Sequence, residues 1–481
     1  MNGQTGKTER LRQELETLYG ETPAVIDPGF FENTVTALTG AGARGERFLE
    51  SARVFGTPQY ILDRDGLKER ATFFLTAMRR RLPGSEFFYA FKCNDLPALV
   101  NTVKEAGFHA DVAGIFELRL ALKLGFEHIV FSSPGKSIDE LKCALRNKKR
   151  VTVNIDNMDE LLRLEELVGR GPKRDKLTVG FRLNSEPGGG GKGRWSKFGF
   201  QLHELKGAVQ RVRRVPGLDW GGLHFHCSWN KTPRKYAENI ETVGQYLAEN
   251  FPADELRRLR FFDIGGGFYP ENQATIAKGE DKGLLLDILG SRRGDNEGVY
   301  EEAGFDPHAF GVTPVEPLVN FARDIAAAAE RHILSFNPGI NIYFEPGRFI
   351  VTHSTSILLG VTAVKKDCII LDGGINMLGD YKFSEYSFTP VINLSRPSTR
   401  LRRRILYGPL CDPGDLWGYS YYGDEARKGD ILAVLYQGAY TFSTAWRFIK
   451  PVPPYILLSG GRLSMAKEAE TFSQRYAGCR F

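Results

Sequence analysis

The chain lacks most of the features that mark specialised classes of protein. Its six cysteines, Cys93, Cys143, Cys227, Cys368, Cys411 and Cys479, are scattered, with no CxxC pair and no spacing suited to zinc. That pattern excludes a disulfide scaffold and fits a reducing compartment. No apolar run approaches the ~20 residues that cross a bilayer, and the start, MNGQTGKTERLRQELETLYG, is polar and helix-prone rather than an export signal. The expectation is a cytoplasmic protein without membrane contact. Charge of one sign is not in excess either, since 64 Lys and Arg stand against 58 Asp and Glu, a formal +6 over 481 residues. The basic runs Arg79-Arg80-Arg81 and Arg402-Arg403-Arg404 read as solvated faces, and nucleic acid is set aside as a partner. Internal repeats and low-complexity tracts are absent.

What is present is ordinary globular composition in a chain long enough for two domains. Residues 7–19 read as an amphipathic helix, and residues 1–57 as an N-terminal helical arm or extension. From about residue 58 short apolar segments alternate with helical ones, the signature of βα units. Strands are expected at Phe87–Phe91, Ala110–Val112, Ile129–Phe131, Val151–Ile155, Leu177–Leu183, Trp220–His226, Phe261–Ile264 and Tyr343–Glu345. Eight strands separated by helical stretches close most economically as a (β/α)8 TIM-type barrel over residues 67–350. The Gly-, Asp- and Glu-rich segment 269–315 is too long for a barrel loop and reads as an insertion. After residue 350 the helical period disappears. Strand-like runs at Ser356–Val364, Cys368–Leu371, Ile405–Tyr407 and Ile431–Tyr436 imply a β-rich C-terminal domain over 351–481, a β-barrel or sandwich, joined by a strand within 58–66.

In such a barrel chemistry belongs at the C-terminal ends of the strands. Lys92 follows Phe87–Phe91 in FYAFKCND; it is either a surface lysine or, if desolvation lowers its pKa, a nucleophile toward an aldehyde. GLHFHCS carries His224 and His226 two residues apart, hence on one face of a strand. They are packed core histidines, metal ligands, or a ring laid against a planar cofactor, and with no third ligand in the neighbouring sequence no metal is assigned. DIGGGF sets Gly265, Gly266 and Gly267 at a strand end, a tight turn or a loop whose amides close on a phosphate. EPGR offers Glu345, Gly347 and Arg348 at another strand end. Cys411, Asp412 and Asp415 share the Pro- and Gly-bounded turn YGPLCDPGD, and Gly438-Ala-Tyr440 follows.

These motifs, in this order, resemble the barrel-fold (fold type III) pyridoxal-phosphate decarboxylases, which include the diaminopimelate, ornithine and arginine decarboxylases. The resemblance runs from TPQYILDRDGL at residue 57 to about residue 445. It implies that Lys92 carries pyridoxal 5'-phosphate and that His226 stacks on its ring. Asp111 of DVAGIFEL, Arg182 of FRLN and Glu345 would contact the cofactor, Glu345 at its pyridine nitrogen. Gly265–Gly267, Gly347, Arg348 and Tyr440 would hold the phosphate, with Ser228 beside them. Cys411 would act as proton donor from the neighbouring subunit of a homodimer. Asp412 would hold the substrate's distal ammonium, and Asp372 and Tyr440 would line the substrate site. The implied activity is decarboxylation of a basic or diamino acid, or of a related intermediate of siderophore, polyamine, antibiotic or lysine synthesis.

The sequence departs from the family at three places. The stacking histidine is usually followed by Gly-Ser, whereas here the order is His226-Cys227-Ser228-Trp229. Diaminopimelate decarboxylases follow Asp-x-Gly-x-Asn with Arg-Pro, but here Asp372-Gly-Gly-Ile-Asn376 leads into MLGDYKFSEYSF. They also carry Glu after the loop cysteine, where this chain has Asp412. Diaminopimelate is therefore not the first choice of substrate. Two other readings are an amino-acid racemase on the same scaffold, which would place arginine where Glu345 stands, and a non-catalytic regulator, which the retained Lys92, His226, Glu345 and Cys411 oppose.

Overall fold

A computed structural model of the chain describes residues 32–40, 44–169, 175–184, 196–271, 274–276, 310–312, 315–379 and 387–481. The expected helix at 7–19 lies outside them. The chain separates into two compact units. One comprises Gly66–Glu271 and Val315–Val351, and the other comprises Met1–Asp65, Asn272–Pro314 and Thr352–Phe481.

Strands in chain order are β1 (Gln59–Asp63), β2 (Ser85–Ala90), β3 (His109–Val112), β4 (Ile129–Ser132), β5 (Val151–Ile155), β6 (Leu177–Arg182), β7 (Leu218–His224), β8 (Phe261–Asp263), β9 (Ala274–Ile276), β10 (Phe310–Val312) and β11 (Asn341–Phe344). They continue with β12 (Thr355–Val364), β13 (Cys368–Leu371), β14 (Ser387–Phe388), β15 (Val391–Asn393), β16 (Leu401–Tyr407), β17 (Leu416–Tyr422), β18 (Ile431–Val434), β19 (Tyr455–Ser459) and β20 (Arg462–Lys467).

In the first unit β2 to β8 lie in sequence order, every pair parallel, and β11 closes the barrel between β8 and β2. A strand buried on both faces needs a continuous apolar run, and Ile129-Val130-Phe131 of β4 supplies it. The following helices are started by side chains. Ser137 Oγ accepts from the Glu140 amide at 3.3 Å while Glu140 returns a carboxylate to the Ser137 amide at 2.7 Å, and Asn157 Oδ1 accepts from the Glu160 amide at 3.0 Å. These caps turn the chain back at the C-terminal mouth and so fix where each strand ends. At the opposite, N-terminal mouth the Phe261 and Tyr343 rings stack at 4.9 Å and Phe88 meets Tyr343 at 4.7 Å.

In the second unit nine strands form one sheet in the order β13-β16-β17-β15-β18-β12-β1-β19-β20. β1 pairs antiparallel with β12 and parallel with β19, so the strand before the barrel is central to this sheet. Four of the nine, β15, β17, β19 and β20, were not expected from the sequence. The described residues of the 269–315 segment that belong to this unit form β9 and β10, which join β14 in a separate three-stranded sheet. The helices Glu32–Thr39 and Arg44–Phe55 lie within the N-terminal arm or extension, and their Val35, Leu38, Phe48 and Ala52 are buried in one core with Ile61, Leu358, Ile392 and Ile456.

Candidate active site

The C-terminal ends of the barrel strands converge on a group of buried ionisable side chains. Lys92 follows β2 within the 3-10 turn Phe91–Cys93, and its Nζ lies 3.4 Å from Asp111 Oδ2 on β3. Glu345, just past β11, is 2% exposed, with Oε2 at 3.4 Å from His224 Nε2 and 3.9 Å from His226 Nδ1. Asp263 ends β8 and is fully buried.

Burial acts on Glu345, Asp111, Asp263 and His226, and the neighbours modify the outcome. For Glu345 burial pushes the carboxyl up, but His224, Lys92 and His226 together pull it below the usual carboxylate range. Asp111 goes the other way: burial and the negative charge of Glu345 outweigh Lys92 and push it up to about 8. Asp263 is driven well above its ordinary value by burial and again by Glu345. Burial first, then Lys92, holds His226 well below the ordinary histidine value, so its ring is neutral. Three carboxyls in one low-dielectric site are thus pushed in opposite directions, Glu345 down and Asp111 and Asp263 up, the pattern expected where acid and base roles are separated by environment.

The glycine turn after β8 is forced by space. A Cβ on Gly266 would meet Glu345 O at 2.2 Å, and one on Gly267 would meet Cys227 O at 1.8 Å; Gly265 and Gly267 also hold φ of 71° and 88°. The Gly265 amide donates to Asp263 Oδ1 at 2.9 Å and the Gly266 amide to His226 Nδ1 at 3.2 Å. Of the three amides expected at a phosphate, that of Gly267 is left without an acceptor among the described residues. The Gly266 bond also fixes the lone pair of His226 Nδ1 and hence its tautomer. The sequence near His224 and His226 offers no third ligand, but the fold does: Glu345 brings the three ligand atoms within 4.8 Å of one another. In this arrangement, however, the Nδ1 lone pair is already spent on Gly266.

Around this group Arg182, ending β6, stands 3.8 Å from Asp156 and 4.1 Å from the centre of the Phe198 ring. Arg348 packs over Trp229, its guanidinium carbon 5.0 Å from the ring centroid, and Gly347 would, as alanine, press on Cys93 Cβ at 3.0 Å. Ser228 is exposed and makes no hydrogen bond among the described residues. Sequence reasoning gave no role to Asp263, Lys136 or Glu160. Lys136 and Glu160 form a fully buried pair at 2.9 Å, and Lys136 also donates to Asn154 O at 2.8 Å. Their signal was a lysine and a carboxylate in the turns after consecutive strands, GKSIDEL and IDNMDEL.

The remaining expected residues belong to the β unit. Asp372 has both oxygens engaged there, accepting from Thr57 Oγ1 at 2.5 Å and from the Gly360 amide at 2.9 Å. Asp415 is buried and accepts from the Ile375 and Leu410 amides at 2.8 and 2.6 Å, pinning the turn that leaves Cys411 exposed and Asp412 partly so. Tyr440 holds a left-handed φ of 55°, and its carbonyl accepts from Thr444 Oγ1 at 2.6 Å.

Residues 71–289 match the family model for the pyridoxal binding domain of pyridoxal-dependent decarboxylases. The chain is 26% identical over 458 residues to the diaminopimelate decarboxylase of Methanothermobacter thermautotrophicus, covering 90% of this chain and 94% of the relative. It is 24% identical over 428 residues to the 2-[(L-alanin-3-ylcarbamoyl)methyl]-2-hydroxybutanedioate decarboxylase of Staphylococcus aureus, over 83% of this chain and 94% of that one. The crystal structure of diaminopimelate decarboxylase from M. jannaschi superposes with a TM-score of 0.74 at 20% identity, covering 90% of this chain and 94% of that chain.

Proposed function

Since this chain belongs to the pyridoxal-dependent decarboxylases and pyridoxal phosphate is its cofactor, we propose that its substrate is an amino acid with a second, distal ammonium group rather than diaminopimelate. The observation that carries the reading is the half-buried Lys92 set against the buried Asp111 and Glu345 and beside His226, with the two carboxyls pushed in opposite directions.

The residues fit the cofactor. Glu345 Oε1, Asp111 Oδ1 and Asp263 Oδ2 are buried oxygens with no hydrogen-bond partner among the described residues, the situation a polar guest relieves. Lys92 is the amine to hold the aldehyde, and Glu345 the carboxylate to hold the proton of the pyridine nitrogen. His226 offers an uncharged ring, and Gly267 and Arg348, with Tyr440, are the residues for the phosphate. The chemistry supplied by the bound group is an electron sink for the pair left when carbon dioxide departs.

Each residue's task follows from its state. Glu345 stays ionised at neutral pH and so favours a protonated ring nitrogen, which an arginine would oppose. Asp111 retains its own proton up to about pH 8 and sets no second negative charge beside Glu345. Cys411, exposed on its pinned turn, is the proton donor to the former α-carbon, offered by a second copy of the chain. Asp412 beside it binds the distal ammonium by a charge-assisted hydrogen bond.

The test is to add pyridoxal phosphate, record the visible absorbance, and measure carbon dioxide release from ornithine, lysine, arginine, diaminopimelate and citryl-diamino acids. Turnover strongest with a diamino acid other than diaminopimelate is expected. A loaded protein that releases carbon dioxide from none of them overturns the activity, and preference for diaminopimelate overturns the substrate. Mixing Lys92→Ala with Cys411→Ala protein is expected to restore part of the activity through dimers that combine one intact half from each; no restoration removes the shared site.

A further inference from the structure

The mouth of the barrel away from the reacting group holds a second concavity, a cavity of about 490 Å3 at the N-terminal ends of the strands. That volume lies in the range of small-molecule sites, about 300–1,000 Å3. Its floor is aromatic, built from Phe88, Phe261 and the partly exposed Tyr343. Its rim is basic. Lys148, Lys149 and Arg150 come from the turn into β5, and Arg257, Arg258 and Arg260 from the turn into β8, three strands further round the barrel.

Some of this charge is tied down locally. Arg260 NH1 lies 2.6 Å from Asp219, Arg258 is 3.6 Å from Asp254, and Arg150 is 3.8 Å from Glu127 while donating to Phe126 O. Lys148 Nζ donates to Asp175 O at 2.8 Å, which orders the lysine without neutralising it. Lys149 and Arg257 are exposed and have no ion pair or side-chain hydrogen bond among the described residues. Glu127 is the only carboxylate in the lining, so positive charge is in clear excess. Two basic turns held around a low-dielectric floor focus a positive field into the concavity, where a convex surface would let water disperse it.

We propose that this N-terminal mouth binds a small polyanion, a molecule bearing several phosphate or carboxylate groups, at a site separate from the catalytic one. Arginine forks match phosphate and carboxylate oxygens in pairs, and lysines add point charge. The strands under the floor also run to the reacting group: β8 carries Phe261 at this end and Asp263 at the other, and Tyr343 of β11 is two residues from Glu345. Occupancy of this mouth therefore bears on elements that hold the active site.

The experiment uses pyridoxal-loaded protein, so that the cofactor phosphate loop is already filled, and titrates inorganic tripolyphosphate and, separately, citrate by calorimetry at low and high salt. Saturable binding that weakens with salt is expected for at least one of them. Tighter tripolyphosphate identifies a phosphate ligand, and tighter citrate a polycarboxylate. The variant Lys149→Glu/Arg257→Glu should bind about tenfold or more weakly, in keeping with the loss of direct charge partners, while keeping its visible cofactor absorbance and unliganded turnover. Absence of saturable binding to the wild-type protein overturns the proposal. So does binding by the intact, cofactor-loaded variant that is unchanged from wild type.

Discussion

The two mouths of the barrel are made from the same eight strands, yet they treat charge in opposite ways. At the C-terminal mouth the carboxyl groups are short and buried: Asp111, Asp263 and Glu345 are each no more than 2% exposed, and their pKa values are pushed in opposite directions. At the N-terminal mouth the charges sit on long side chains in water, where the Arg260–Asp219 pair is close at 2.6 Å but 47% and 42% exposed. The difference teaches that burial, more than the number of charges, decides what a charged group can do. A buried carboxylate is a chemical instrument because its pKa is tunable, whereas an exposed cation is screened and serves to attract a partner.

The largest effect is expected at Lys92. Lys92→Ala should abolish the visible absorbance of cofactor-loaded protein and lower turnover by roughly 10³-fold or more, as loss of a covalent catalytic group does. Survival of the band would show that another lysine carries the cofactor and would move the chemical end of the comparison elsewhere. Glu160→Ala comes next. It leaves Lys136 as an unpaired cation at 0% exposure, and chemical denaturation should show a loss of about 3–5 kcal/mol. Glu345→Gln keeps the shape but removes the charge, and should lower turnover on the order of 10²-fold, the scale of losing one preorganised electrostatic contact. A variant with wild-type rates would mean that the ring nitrogen does not depend on this carboxylate.

Much of this contrast was legible in the sequence, but unevenly. The eight barrel strands could be read because short, mostly apolar segments alternate with helical pattern, and most of their residues are buried. The β unit was harder. β17 and β20, LWGYSYY and RLSMAK, alternate large apolar with small or polar residues only over 417–421 and 462–465, runs too short to stand out from the surrounding turns. Strand ends located Lys92, Glu345 and the glycines, but sequence could not tell that two of three glycine amides would be used internally, nor that Asp372 would be held by Thr57, 315 positions away. Lys136 and Glu160 were passed over for a related reason: the neighbouring strands that bring the pair together are defined by barrel closure, and the local motifs GKSIDEL and IDNMDEL do not by themselves pair them. The basic mouth was hidden because Lys148–Arg150 and Arg257–Arg260 look, one at a time, like ordinary solvated runs.

The pH dependence of stability sharpens the comparison further. Asp111 has an ordinary pKa of 3.8 and is pushed up to about 8 in the folded protein, so the folded state keeps a proton that the unfolded chain gives up. Its contribution is full below about pH 4 and is lost progressively as pH rises towards about 8. The raised carboxyl of Asp263 acts in the same sense, while the depressed Glu345 loses its contribution only on the acid side of the carboxylate range. Cofactor-free protein is therefore expected to melt at a lower temperature as pH rises through neutrality, and Asp111→Asn should flatten that slope. An unchanged slope in the variant would place the responsible proton on another group.

The smallest effect is expected at the other mouth. Arg260→Ala removes a pair that is close in space but nearly half exposed, and such pairs contribute about 0–1 kcal/mol because water and salt already screen them. Its melting temperature should stay near wild type, and salt should matter little to the difference. A loss approaching that of Glu160→Ala would mean that the basic turns are locked into the barrel as firmly as the buried groups at the opposite end. The division between a tuned, buried mouth and a screened, attracting one would then fail, and the positive rim would have to be read as part of what holds the barrel closed.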